Sequence, residues 1–132
     1  MEFSGLIQPG LIRVDTYTVE EEHTAKHLGS GSSRVLATPW MILFMERTCH
    51  RSLAERLPAG YSSVGIGVNV RHLAPSRVGS TVQVRSEVLR VEGPKVLFAV
   101  EVRQGETLIG QGEHERFIID EQRFLKRVHE SE

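Results

Sequence analysis

Glu46 is the residue of this chain whose type and position best suit acid-base or nucleophilic chemistry, because it is the one carboxylate set in the apolar stripe of the principal helix. Winding residues 38 to 57 onto a helix at about 100° per residue gathers Ile42, Leu43, Cys49, Leu53 and Leu57 around Glu46, with His50 beside them. Arg47, Thr48, Arg51, Ser52, Glu55 and Arg56 fall on other faces. A carboxylate inside an apolar stripe loses hydration, so it must find partners, take up a proton or line a wet cleft. Each outcome makes Glu46 a candidate base or nucleophile; the plain alternative is a satisfied core acid.

The elements that must position these groups are legible in outline. Thr38 suits an N-cap and Pro39 the first helical position, while Pro58 and Gly60 stop the helix. The rival role for Thr38 is a hydrogen bond to the reactive carboxylate or to substrate. Eight residues separate it from Glu46, about 12 Å along a regular helix. Direct cooperation therefore needs either a chain that folds back or a second subunit, which favours a site at a dimer interface.

After the helix the period changes from 3.6 to 2. Val64, Ile66, Val68 and Val70 alternate with Gly65, Gly67, Asn69 and Arg71, a half-buried strand. His72 extends the parity of the valines, which aims its imidazole at the helix-covered face, toward Glu46. An imidazole beside a desolvated carboxylate can shuttle protons or hold a water; a strand-end histidine bonded to backbone is the structural alternative.

Leu11 to Val19 reads as a first strand, and Gly29 to Ser33 as part of a small, polar loop. Val35 and Leu36 suit a short extended piece. Thr81 to Val91, Lys95 to Gln104 and Thr107 to Ile119 read as three further strands in an antiparallel meander, and the tail from Asp120 as a short helix. The expectation is one α+β domain over residues 1–132, with a core of about 11–119 and a tail at 120–132. One long central helix is wrapped by an antiparallel sheet of about five to six strands.

Composition narrows the function classes. A chain of 132 residues with 39% hydrophobic content can bury one real core. A formal charge of −1 supplies no broad field for nucleic acid or an anionic membrane. The single cysteine, Cys49, excludes an intrachain disulfide and suits a reduced, cytoplasmic protein. The longest apolar run, Trp40 to Met45, is too short to span a bilayer, and no signal peptide is indicated at residues 1–19.

Other constellations point elsewhere less well. His23 and His27 lie four apart without a metalloprotease glutamate or a third ligand and read as a solvated pair, so no metal is expected. Gly29-Ser30-Gly31 lacks the ending of a phosphate-binding loop, and there is no nucleophile elbow. Cys49 and His50 are adjacent on the helix and diverge.

Ala37-Thr38-Pro39, Met45-Glu46, Val64-Gly65 and Val68-Asn69-Val70-Arg71-His72-Leu73-Ala74-Pro75, with Thr24-Ala25-Lys26-His27 and residues 112 to 120, occur in an order and spacing that resembles the fluoroacetyl-CoA thioesterase-like family of hot-dog proteins. The resemblance runs from about Tyr17 to Leu125. It implies a hot-dog fold, a homodimer, with pairing of dimers into a tetramer left open, and hydrolysis of an acyl-CoA with no cofactor beyond the CoA of the substrate. It also implies that Thr38, Glu46 and His72 are catalytic and that Gly65 is an active-site glycine.

Arg71, Arg77 and Arg116 are candidates to meet the CoA phosphates at the cleft mouth, with solvated surface arginines as the alternative. The small residues Gly29 to Ser33 offer no bulky wall, so a short or medium acyl group is expected rather than fluoroacetyl. Two rival functions are a non-catalytic acyl-CoA binding or sensing module and a hot-dog enoyl-CoA hydratase.

Overall fold

The computed structural model of the protein describes residues 2–131. β1 (Ile12–Thr18) leads through a 3-10 turn (Glu21–His23) and a single helical turn, α1 (Ala25–Leu28), to the long helix α2 (Thr38–Ala54). Then come β2 (Tyr61–His72), β3 (Thr81–Glu92), β4 (Lys95–Gln104), β5 (Thr107–Asp120) and the terminal helix α3 (Glu121–Glu130). The strands form one sheet in the order β1-β3-β4-β5-β2, antiparallel throughout. Tight turns at Gly93 and Gly105, both with positive φ, make β3-β4 and β4-β5 hairpins.

Alternation along the strands builds the core. Val82, Val84 and Val88 of β3, Val96, Phe98, Val100 and Val102 of β4, and Ile109 and Ile118 of β5 are buried against Met41, Phe44, Met45, Cys49 and Leu53 of α2. Each such side chain contributes roughly 1.5–3 kcal/mol of transfer free energy, so the packing of α2 on the concave face fixes the helix axis.

Three local expectations change. The fully buried stripe of α2 includes Thr48 and Ser52 as well as Met41, Phe44 and Met45, which leaves Glu46 at its border with 38% of its side chain exposed. The cause is the wrap of the sheet: β1 supplies the Tyr17 hydroxyl, 3.2 Å from Thr48 Oγ1, and satisfies a polar group that a helical wheel assigns to solvent. Second, the cap of α2 is Ala37, in extended geometry, and Thr38 is already helical and makes no capping bond.

Third, β2 does not keep one parity. Its register against β5 shifts between Gly65 and Gly67, a bulge at Ile66. Gly65 pairs with buried Arg116 whereas Val68 pairs with buried His114, so Ser63 and Gly65 face the helix before the bulge, and Val68, Val70 and His72 face it afterwards. Val64 pairs with Phe117 on the opposite face.

β5 and β2 approach so closely that a Cβ on Gly112 would lie 2.2 Å from the Asn69 carbonyl oxygen and 2.6 Å from Val70 Cα. Both are backbone atoms held by the ladder, so Gly112→Ala should cost about 2–4 kcal/mol, read as a fall in the denaturant midpoint. An unchanged midpoint would show that β2 can retreat freely.

Candidate active site

Because Ala37 takes the cap position, the Thr38 hydroxyl is free for another partner, and it is hydrogen bonded to His72 Nδ1 at 2.8 Å. His72 ends β2, where the strand leaves the sheet, and its Nε2 is buried without a protein hydrogen bond. Burial lowers the pKa of His72, partly opposed by a backbone hydrogen bond with Ala74. A neutral imidazole joined to a hydroxyl can pass a proton in either direction. Thr38 and His72 line one side of an open cleft of about 550 Å³, together with Ser30, Leu36, Ala74 and Pro75.

Glu46 is not part of this pair. Two turns further along α2, it lies over the inner face of β2 and β5, with Oε2 3.8 Å from Arg116 Nη1. That is an ion pair without a hydrogen bond. Arg116 is buried: Nε donates to Ser63 Oγ at 2.8 Å, Nη2 to the Ser63 carbonyl at 3.0 Å, and Nη1 to His114 Nε2 at 3.1 Å. Desolvation lowers the pKa of Arg116, yet a guanidinium keeps its proton under any such burden.

Gly65 lets these groups converge. A Cβ there would meet Glu46 Oε2 at 3.1 Å, His114 Cε1 at 3.2 Å and Arg116 Nη1 at 3.4 Å. Its backbone therefore passes directly beside the carboxylate, where a peptide group can face a substrate carbonyl.

The remaining candidates separate. Arg116, expected at a cleft mouth, lies beneath Glu46 with Nε, Nη1 and Nη2 each hydrogen bonded to Ser63 or His114. Arg71 lies on the outer face of the sheet, in a shallow depression shared with Asn69, Arg85 and Glu101. Arg77 is exposed and stands beside the Thr38 cleft, its backbone bridged to Val35. Cys49 is buried, and its thiol is pushed up to about 12, chiefly by burial. His23 packs on Trp40 and its Nδ1 accepts from the Glu20 backbone N–H, while His27 is exposed.

Ser63 and His114 escaped the sequence reading. The available signal was parity: His114 and Arg116 are two apart on one strand, as are Ser63 and Gly65, so each pair shares a face.

Residues 19–122 match the family described as fluoroacetyl-CoA-specific thioesterase. A fluoroacetyl-CoA thioesterase of Streptantibioticus cattleyicolor is 34% identical over 118 residues, 85% of each chain. A solved structure of a fluoroacetyl-CoA thioesterase superposes with a TM-score of 0.87 at 30% identity, covering 96% of this chain and 98% of that one. A hot-dog-like protein from Thermanaerovibrio acidaminovorans gives a TM-score of 0.91 at 27% identity, covering 99% and 97%. The fold is thus the hot-dog fold, with five strands around α2.

Two outcomes are expected. Gly65→Ala should displace the Glu46 carboxylate by a few tenths of an ångström while leaving the backbone relaxed, lowering turnover about tenfold or more at unchanged thermal stability. Equal turnover would remove any need for close approach at this position. Secondly, burial is the leading cause of lowered pKa values at His50, His72 and His114. The unfolded chain takes up these protons below about pH 6.5, and the folded chain resists them. Their stabilisation is complete above that pH and is lost as pH falls through the folded values. The thermal midpoint should drop between pH 7 and pH 5, and a flat profile would contradict the assignment.

Proposed function

The chain belongs to the fluoroacetyl-CoA-specific thioesterase family, and from that membership and the geometry of Glu46 we propose that it hydrolyses an acyl-CoA thioester to the free acid and CoA. The observation that carries this reading is a half-exposed carboxylate set beside a buried guanidinium and a glycine backbone, with its lone pairs unclaimed by hydrogen bonds among the described residues. Glu46 attacks the thioester carbonyl to give a transient anhydride, or takes a proton from the water that attacks it. The carbon–sulfur bond breaks, the sulfur leaves as the CoA thiolate and is protonated, and the acyl group departs with a water-derived oxygen. Thr38 and His72 orient the carbonyl and relay the proton. These groups supply nucleophile or base, proton relay and hydrogen bond, so the reaction calls for no cofactor beyond the CoA of the substrate.

The site is completed by a second copy of the chain. About 12 Å of helix separates Thr38 from Glu46, and Thr38 is already engaged with His72 on its own protomer. β2 is a twelve-residue edge strand carrying Ile66 and Val68 at 46% and 45% exposure, an edge that proteins seldom leave uncovered. Pairing of this edge in a homodimer brings Glu46 of one protomer toward the Thr38–His72 pair of the other. Arg77 is the arginine best placed beside the cleft to meet CoA phosphates.

The exposed loop at residues 29–33 carries no bulky side chain, which suits a short or medium acyl group. No helix among the described residues is long and apolar enough to cross a membrane. The free buried thiol of Cys49 suits the reducing cytoplasm.

Thiol release from a panel of acyl-CoAs should fall by at least about 100-fold in a folded Glu46→Gln variant, and parent-like release would refute the role. The subunit arrangement is tested by mixing Glu46→Gln with Thr38→Ala. Each homodimer should be impaired, and the mixed dimer should recover one intact site. No recovery would place all three residues in one protomer's site.

A further inference from the structure

Arg116 Nη1 stands between two groups that can accept its protons: His114 Nε2 at 3.1 Å and Glu46 Oε2 at 3.8 Å. A guanidinium nitrogen only donates, so His114 Nε2 must present its lone pair. The ring proton then sits on Nδ1, which donates to the Gly67 carbonyl at 2.8 Å. The bulge between Gly65 and Gly67 sits where that carbonyl is used, and His114 is 2% exposed. One tautomer of one histidine is thereby fixed at both ends, by backbone on one side and by the guanidinium on the other.

We propose that His114 is a positioning residue for the hydrolysis: it holds Arg116 Nη1 just beyond hydrogen-bonding reach of Glu46. The carboxylate feels the fixed positive charge, while its lone pairs stay free for the substrate carbonyl or water. Without the His114 acceptor, Nη1 has Glu46 as the acceptor to turn to, and the pair closes into a salt bridge that ties up the reactive oxygen. Ser63 cannot substitute, because it already receives Nε and Nη2 from the other edge of the guanidinium. The groups of α2 that face Arg116 besides Glu46 are Cys49 and His50; Cys49 is buried, and His50 lies one helical turn beyond Glu46. This inference rests on Glu46 being the reactive group, so its test includes a measurement independent of turnover.

Two substitutions divide the two hydrogen bonds of His114. Asn reaches the Gly67 carbonyl but is too short for Arg116, whereas Gln can present an oxygen to Arg116 and gives up Gly67. His114→Asn should lower kcat about tenfold or more with KM changed less than about threefold, and His114→Gln should stay within about threefold of the parent in both. A purely structural role predicts that activity falls in whichever variant loses thermal stability, so a kcat that tracks the thermal midpoint of the two variants would overturn the proposal.

The independent reading is nitrogen-15 NMR of the protein without substrate. The parent should show His114 as the Nδ1–H tautomer and a resolved, slowly rotating Arg116 guanidinium. Slow rotation about the Nη1 side should depend on Gln or His at 114. An Nε2–H tautomer in the parent would overturn the inference whether or not either variant folds. If the clamp signals appear as expected while the parent releases no thiol from any acyl-CoA, the hydrolase reading fails and the hydrogen-bond assignment stands.

Discussion

A positive charge almost out of water organises this molecule. Burying an unpaired guanidinium costs several kcal/mol, and Arg116 is buried on β5 beneath the middle of α2. It is tolerated because its donors have partners in fixed places: the Ser63 hydroxyl and carbonyl, the His114 ring, and the carboxylate of Glu46 at ionic distance. Each partner imposes a condition on the chain. Ser63 must face inward, so β2 has inward parity at its start; His114 must share the face of Arg116, which two-residue spacing on β5 provides. The missing side chain of Gly65 leaves Glu46, His114 and Arg116 undisplaced, because all three converge on its Cβ position.

The bulge at Ile66 reconciles those conditions with the other half of the site. A strand of unbroken parity that turned Ser63 and Gly65 inward would turn Gly67, Asn69 and Arg71 inward as well and His72 outward, away from Thr38. With the extra residue, β2 gives inward Ser63 and Gly65 beneath Glu46 and inward Val68, Val70 and His72 further along. The cost is a long, glycine-containing edge with apolar side chains in solvent, which is the edge proposed to meet a second copy.

The two ends of α2 are used for different purposes. At its start, Ala37 caps by backbone alone and releases the Thr38 hydroxyl to His72, trading a capping bond of about 1 kcal/mol for a hydrogen bond to an imidazole. Toward its end, polar contacts with β1 fasten it: Tyr17 to Thr48, and Arg51 to Asp15 and the Tyr17 hydroxyl. Arg13 pairs with Asp15 and with Glu55. These contacts explain why Thr48, which helical periodicity puts on another face from the apolar stripe, lies buried against the sheet.

Much of this fold follows from local spacing along the chain. The change of period after Pro58, the hairpin glycines, the alternating valines of β3 and β4 and the ordered Thr38, Glu46 and His72 motifs specify the elements, their antiparallel arrangement and the family. Glu46 was conspicuous as a carboxylate near an apolar stripe, although that stripe runs beside it rather than around it. Which groups meet is set by the folded chain: Thr38 with His72, Glu46 with Arg116, and His114 and Ser63 with that arginine. The physical reason is that periodicity carries the face a residue occupies but not the bulge that reverses it. Two partners of the buried charge, Ser63 and Glu46, lie tens of residues from Arg116 in the chain and are chosen by strand register and by the cost of leaving a donor unpaired.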